Sequence, residues 1–422
     1  MNKIKIAFFG ATRGLSICRF SGIFCRDDVC LAAVCDSYRP ALEQFRMAAE
    51  ENGLYDVKYL SDPERLFDLD FDAIVLANYA TEHAPWAVRF LNAGRHVMSE
   101  LLPMQTLAEA VELTETVERT GLVYQYAENY CYMDQILEMR RIYDNGEVGD
   151  VMVAEGNFNN DLSASWHQLT RGEPNSWRNI VPSTFYCTHS IGPLFWTTGR
   201  RAVRVMGIEI PTHETLASLG ARSGSAAMEI MELDNGGMAK SLNGFLKRTW
   251  VPHYSLYCQK GSMETDKLDF SHLHVFREKP FEEKHQYGQY RLDNYYPKFP
   301  VRREGVREDL MYSVYYEMEC FLGSIRGDEM AKKYAINVYQ AMDMALPGIF
   351  AYRSILQGGA SIEVPDFRDH EQREKYRFDT SCTDPRKAGD MLLPYKHGTP
   401  TQVPEDAYER CKELLQWQKE HR

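Results

Sequence analysis

Residues 3–14 read KIKIAFFGATRG. An apolar run of strand length, Lys3 to Phe9, stops at Gly10; Gly14 follows, and a helix-like run extends from Leu15 to Phe24. A strand, a tight glycine turn and a helix together aim backbone N–H groups at a diphosphate. The spacing departs from G-x-G-x-x-G: Gly10 is in place, Thr12 stands at the second glycine, and Gly14 falls one position early. Thr12 and Arg13, inside the turn, are candidates to line the cofactor with the two glycines.

Working outward, CLAAVCD is a second apolar strand that ends at Asp36, about twenty residues beyond the turn. A carboxylate there accepts both ribose hydroxyls of NAD and repels the extra phosphate of NADP, so NAD is the favoured cofactor although Arg39 lies nearby. FDAIVLAN (71–78) is a third strand, followed by a helix over Thr81–Asn92 that Gly94 stops. RHVMSE ends at Glu100, a helix over Leu107–Thr120 leads to Gly121, and LVYQYAEN is the next strand. Strands alternating with helices at this spacing predict a doubly wound parallel sheet.

The composition suits a globular α/β protein, with 44% hydrophobic and 26% charged residues. Lys+Arg at 48 against Asp+Glu at 60 gives a net charge of −12, which argues against nucleic acid or an anionic membrane as the main partner. No apolar run has the length of a membrane span. The ten cysteines are scattered without a C-x-x-C pair and read as reduced thiols, which with no export signal predicts a cytoplasmic protein.

With the strand ends laid out, the chain resembles the Gfo/Idh/MocA oxidoreductases over roughly residues 1 to 367. The matching positions are the Gly10 turn, Asp36, Asn78 with His83 in ANYATEH, Glu100 closing HVMSE, and Asn129 in AENYCY. The resemblance implies that Asn78, His83, Glu100 and Asn129 line the cofactor. It also implies a Rossmann domain (1–128), a substrate-binding α/β domain with a large open, mostly antiparallel sheet (129–367), and a C-terminal extension (368–422). Large open sheets in this family pair, which implies a homodimer or homotetramer. Two family residues are missing. Leu101-Leu102 stand where the family has Lys-Pro, and Phe185 stands where it has an aspartate four residues before the catalytic histidine. One branch is similar in these same losses, the NAD-dependent α-N-acetylgalactosaminidases, which hydrolyse a glycoside by a redox route. Their Tyr-x-Thr-His-x-x-Gly-Pro segment is like Tyr186 to Pro193 here, and their Trp-Arg pair is like Trp177-Arg178. Their HDL run has Asn160 in place of its histidine, before Asp161.

In that frame the substrate is a sugar or glycoside. His189 is the candidate base, because an imidazole titrates near neutrality. Tyr186, three residues earlier on the same helical face, polarises the hydroxyl or relays its proton. Tyr132 is either a second proton donor or a packing residue. Arg178 is either a substrate clamp or a surface ion-pair partner. Asp161 orients His189, binds a substrate hydroxyl or caps a turn, Trp177 is with Arg178 a candidate to bind the substrate, and His83 either caps its helix or lines the cofactor loop. The same residues serve a redox-neutral glycosidase or a dehydrogenase that releases NADH, and a non-catalytic NAD sensor is the third reading. His272 and His274 share one face of SHLHVF; with no carboxylate or cysteine at ligand spacing they read as a surface pair, and no metal is expected.

Beyond the site, AAMEIMELDNGGMAKSLNGFL predicts a hairpin turning at Asp234–Gly237. Residues 312–325 and 334–356 predict helices packed on the second sheet, and 268–308 a long irregular loop. Tyr295 and Tyr296 in that loop either stack on a sugar or pack on their own sheet. A last helix over 405–419 carries Tyr408, Cys411 and Leu415 on one stripe, to dock on this chain or a neighbour.

Overall fold

The computed structural model describes residues 3–284, 289–298, 312–395 and 403–421. It divides into two compact units. The first comprises the described residues of 1–133, 300–342 and 367–378; the rest form the second. The units are therefore not contiguous stretches of chain, in contrast to the expected division at residues 128 and 367.

The first unit is a six-stranded parallel sheet of β1 (Ile4–Phe9), β2 (Val29–Cys35), β3 (Lys58–Leu60), β4 (Ala73–Leu76), β5 (His96–Ser99) and β6 (Tyr124–Tyr126). Its order, β3-β2-β1-β4-β5-β6, reverses direction at β1, the doubly wound pattern that opens a crevice beyond the carboxyl ends of β1 and β4. β1 and β4 are apolar almost throughout, because helices cover both faces of such a sheet. The helix over Leu107–Thr120 has the predicted bounds. Thr106 and Glu109 cap each other's backbone at its start, and Gly121 ends it at φ 64°.

The second unit holds a nine-stranded sheet. Its strands are β7 (Val151–Asn159), β8 (Ala202–Ile210), β9 (Ala226–Leu233), β10 (Met238–Gly244), β11 (His253–Cys258), β12 (Gly261–Thr265), β13 (Leu273–Glu278), β14 (Tyr290–Tyr295) and β15 (Ile362–Glu363). The order is β14-β13-β12-β11-β7-β10-β9-β8-β15, with β7–β10 parallel and the other pairs antiparallel. β9 and β10 form the predicted hairpin.

A buried helix, Cys187–Thr198, lies on β7. The approach is so close at Gly156 that an added Cβ would stand 1.8 Å from the carbonyl oxygen of Ser190. Glycine in mid-strand thus fixes the height of the histidine-bearing helix over the sheet. The final helix, Ala407–Glu420, docks within this unit: Tyr408 Oη accepts from Arg222 Nε at 3.1 Å, and Cys411 is buried.

Three expectations change. The helix over Tyr312–Ile325 packs in the first unit, where Val314, Met318, Phe321 and Leu322 join the core of Ile6, Phe8 and Phe45. An apolar stripe states that a helix is buried, not which sheet buries it. The helix predicted over 334–356 starts later, as Val338–Leu356, and a separate short helix, Glu329–Tyr334, ends where it was expected to begin. The supposed loop over 268–308 contains β13 and β14; residues 285–288 and 299–308 within it lie outside the described residues. β14 is the sheet's edge, and an edge strand wetted on both faces carries the polar composition of a loop.

Candidate functional site

The first unit presents a cradle at the carboxyl ends of β1 and β4. Gly10 sits at φ 106°, and an added Cβ would lie 2.2 Å from the carbonyl carbon of Ala77. Only glycine fits there, on both conformational and steric grounds. The helix begins at Ala11, earlier than the predicted Leu15, so Thr12, Arg13 and Gly14 occupy its first turn. Asp36 ties this turn to the next: its Oδ2 accepts from the Ala11 N–H at 2.7 Å and its Oδ1 from the Tyr38 N–H at 2.8 Å. Each oxygen keeps a further lone pair for a hydroxyl. The Arg13 guanidinium donates to Glu100 Oε1 at 2.5 Å, and that carboxylate holds the arginine pKa above its ordinary value.

Asn78 follows β4, and both polar atoms of its amide are buried with no hydrogen-bond partner among the described residues. Orphaned polar atoms beside a cradle that any Cβ would fill are what a dinucleotide site presents before its ligand is counted. The residues therefore fit the expected group. Asn129 is half-buried where β6 leads into a short turn.

Two first-unit candidates carry two readings each. His83 does not cap its helix; it is 1% exposed, its Nδ1 lies 3.1 Å from the Leu102 carbonyl oxygen, and its buried Nε2 has no hydrogen-bond partner among the described residues. Burial lowers its pKa. Tyr132 is fully buried and its hydroxyl donates to the Tyr334 carbonyl at 3.0 Å, which favours packing over proton donation. Beside the Arg13–Glu100 pair lies Glu317, which sequence reading missed. It is 2% exposed, its Oε1 lacks a partner among the described residues, and burial with the nearby Glu100 raises its pKa well above the carboxylate range.

The second unit brings together Tyr186, His189, Trp177 and Arg178. Tyr186 ends a short 3₁₀ turn and is the N-cap of the helix that carries His189, so the two rings stand 6.0 Å apart at the helix start. Trp177 stacks on Tyr186 at 5.9 Å, and the Arg178 guanidinium lies 4.4 Å from the Trp177 ring centre while donating to Tyr186 Oη. A guanidinium N–H on a phenol oxygen stabilises negative charge there. Phe158 of β7 and Phe245 complete the wall: Phe158 is 4.7 Å from the His189 ring, and Phe245 meets Tyr186 edge-on at 5.6 Å. The alternation of β7 could have shown Phe158 facing inward; nothing local announces Phe245. Tyr254 fixes the helix backbone by donating to the His189 carbonyl.

Asp161 caps a turn. Its Oδ1 accepts from the N–H and hydroxyl of Ser163, and its Oδ2 lies 3.2 Å from Lys247 Nζ. Tyr295 and Tyr296 also pack on their own unit, through Glu138 at 2.7 Å and Asp269 at 2.9 Å. No helix among the described residues is long and apolar enough to cross a membrane.

Comparison with known proteins places this geometry. Residues 4–128 match the model of an oxidoreductase family with an NAD-binding Rossmann fold, GFO_IDH_MocA. A protein of Shewanella sp. (strain ANA-3) named glycosyl hydrolase family 109 protein 2 is 26% identical over 205 residues, which span 46% of this chain and only 44% of that one. A protein of the same name from Phocaeicola vulgatus is 22% identical over 410 residues, 88% of this chain and 96% of that one. Among solved structures, levoglucosan dehydrogenase in complex with NADH and L-sorbose shares the fold, with a TM-score of 0.68, 15% identity, and coverage of 87% of this chain and 100% of that one. Residues 4–128 thus match the NAD-binding Rossmann domain of the GFO_IDH_MocA oxidoreductases, and the six-stranded parallel sheet they carry has that fold.

Proposed function

We propose that this protein is an NAD-dependent oxidoreductase that works at a ring carbon of a sugar or glycoside, and that it uses the oxidation to cleave a glycosidic bond. The observation that carries the reading is the Arg178–Tyr186–His189 constellation, a cation, a phenol and an imidazole enclosed by three aromatic rings. Gly10, Thr12, Arg13, Gly14, Asp36 and Asn78 hold the cofactor, with Asp36 directed to ribose hydroxyls. Bound NAD supplies a hydride acceptor and, once reduced, a hydride donor. His189 removes the substrate hydroxyl proton as oxidation proceeds. Tyr186 polarises that hydroxyl, with Arg178 supporting charge on its oxygen. Trp177, Phe158 and Phe245 exclude water and give a sugar's apolar face a surface to lie on. If carbon 3 becomes a ketone, the proton on carbon 2 becomes acidic. Tyr186, whose oxygen receives the Arg178 guanidinium, is the base for that proton, and the carbon-1 substituent leaves. Water adds back, and returning the hydride restores the sugar without net oxidation.

The test incubates the protein with NAD and a panel of aryl glycosides while recording NADH absorbance and aglycone release. Aglycone without NADH is the expected result. NADH without aglycone would make the protein a net dehydrogenase. Silence across the panel with NAD bound would make it a sensor.

The protein is also proposed to assemble as a homo-oligomer through the open face of its second sheet. Met206, Ile208, Ile210, Met228 and Ile230 are exposed there on adjacent strands, with Ile208 65% exposed and Met206 paired opposite Ile230. A contiguous apolar ladder of this kind marks a protein interface. Ile208→Asp is expected to convert the assembly to monomers in light scattering; an unchanged mass would remove this face from consideration.

A further inference from the structure

The β12–β13 hairpin gathers a third group around the histidine pair, one that sequence spacing concealed. Asp266 directly follows β12, and its backbone N–H donates to the His272 carbonyl at 3.0 Å, which extends the strand pairing beyond Thr265↔Leu273. One ligand atom from each of Asp266, His272 and His274 lies within 4.8 Å of the others. The two imidazole centres are 4.5 Å apart, and His274 Nε2 is 3.5 Å from Asp266 Oδ2. Bonds of about 2.0–2.1 Å to a tetrahedral ion would place ligand atoms roughly 3.4 Å apart, so little movement closes the set.

Each ligand is held by its own restraint. His274 Nδ1 lies 2.7 Å from Asn294 Oδ1, directly across β13–β14. Donation of Nδ1–H to that oxygen selects the tautomer with the lone pair on Nε2, the atom that faces Asp266. Metal-bound histidines are oriented by this arrangement. Asp266 Oδ1 accepts from the backbone N–H groups of Leu268 at 2.6 Å and Asp269 at 2.9 Å, which aims Oδ2 at the histidines. The His272 ring stacks on Tyr296 at 4.8 Å, and the Tyr296 hydroxyl is anchored on Asp269.

We propose that Asp266, His272 and His274 bind one Zn²⁺-class divalent cation, with Asn294 as the positioning residue and the fourth position open to water. Two imidazoles with one carboxylate suit zinc or its first-row neighbours; calcium and magnesium seek all-oxygen sites. The other grouping of this kind, Glu115, His370 and Glu374, is different. Both of its carboxylates already bind Arg377, so a cation would have to displace a guanidinium.

The experiment titrates the full chain with Zn²⁺ against a chromophoric chelator, and with Co²⁺ while recording its visible spectrum. One equivalent is expected, with the intense bands of four-coordinate cobalt. His274→Ala should abolish that equivalent. Asn294→Ala keeps every ligand and should weaken binding about 10- to 100-fold. Glu115→Gln should change nothing. Absence of a stoichiometric site in the unaltered chain overturns the proposal. So does unchanged affinity in Asn294→Ala, a variant that reads the site even if His274→Ala fails to fold.

Discussion

Replacing His189 with alanine is expected to lower turnover about 10²- to 10⁴-fold while leaving the NAD dissociation constant unchanged. The cradle residues are untouched by the change, so cofactor affinity, read by fluorescence titration, reports that the first unit is intact. Loss should fall on kcat more than on KM, because a proton-transfer group acts in the transition state. Alanine also removes a ring from contact with Phe158. Tyr186→Phe therefore serves as the companion variant. It keeps the stack on Trp177 and deletes only the oxygen that receives Arg178. That variant should lose aglycone release and retain its melting temperature to within a few degrees. A His189→Ala protein that turns over at the wild-type rate would remove this cluster from the mechanism altogether.

The parts of this protein that were legible in its sequence are those where local chemistry has one solution. Gly10 could be read as the turn because no side chain survives at φ 106° against the Ala77 carbonyl. Leu107–Thr120 could be read to the residue because Thr106, Glu109 and Gly121 are reciprocal stop signals. The helix Arg39–Glu51 and strand β3 went unread, although Pro40 at the helix start and the buried spacing Ala41, Phe45, Ala48, Ala49 carry the signal. The remaining failures concern partners rather than elements. The helix over Tyr312–Ile325 exists as predicted, but its sheet was misassigned, because periodicity records a face and not its neighbour. At the site, three-residue spacing put Tyr186 beside His189. The bond from Arg178 could not be read, since Arg178 belongs to a separate short helix, Trp177–Ile180. Asp266 joined the histidine pair for the same reason: strand register, not sequence distance, brings it there.

The second large effect concerns Glu229, which is linked by hydrogen bonds to the helix of His189 and takes no part in the proposed chemistry. It is fully buried on β9, and Asn243 Nδ2 lies 3.3 and 3.0 Å from its two oxygens. The same nitrogen reaches Ser241 Oγ at 2.8 Å, and Ser241 meets Ser190 at 2.6 Å, one residue from His189. Burial pushes the Glu229 carboxyl from its ordinary 4.5 up to about 8, and the nearby Glu209 adds to the effect. The folded protein therefore holds a proton that the unfolded chain releases above 4.5. Between about 4.5 and 8 the folded state binds more protons, so stability falls as pH rises, and it levels once Glu229 itself ionises. At 1.36 kcal/mol per pH unit over that interval, the linkage amounts to about 5 kcal/mol. Glu229→Gln keeps the shape and an acceptor for Asn243 but cannot ionise. Denaturant unfolding at pH 5 and pH 8 should show wild-type stability dropping by up to several kcal/mol while the variant's second-unit transition stays nearly level. Parallel behaviour of the two proteins would mean that Glu229 is charged in the folded state. A buried carboxylate would then lie three hydrogen bonds from the helix of His189, through Asn243 and Ser241, and the imidazole would have to act as a base in its field. A neutral Glu229 spares it that field, which is why the stability experiment also bears on the chemistry.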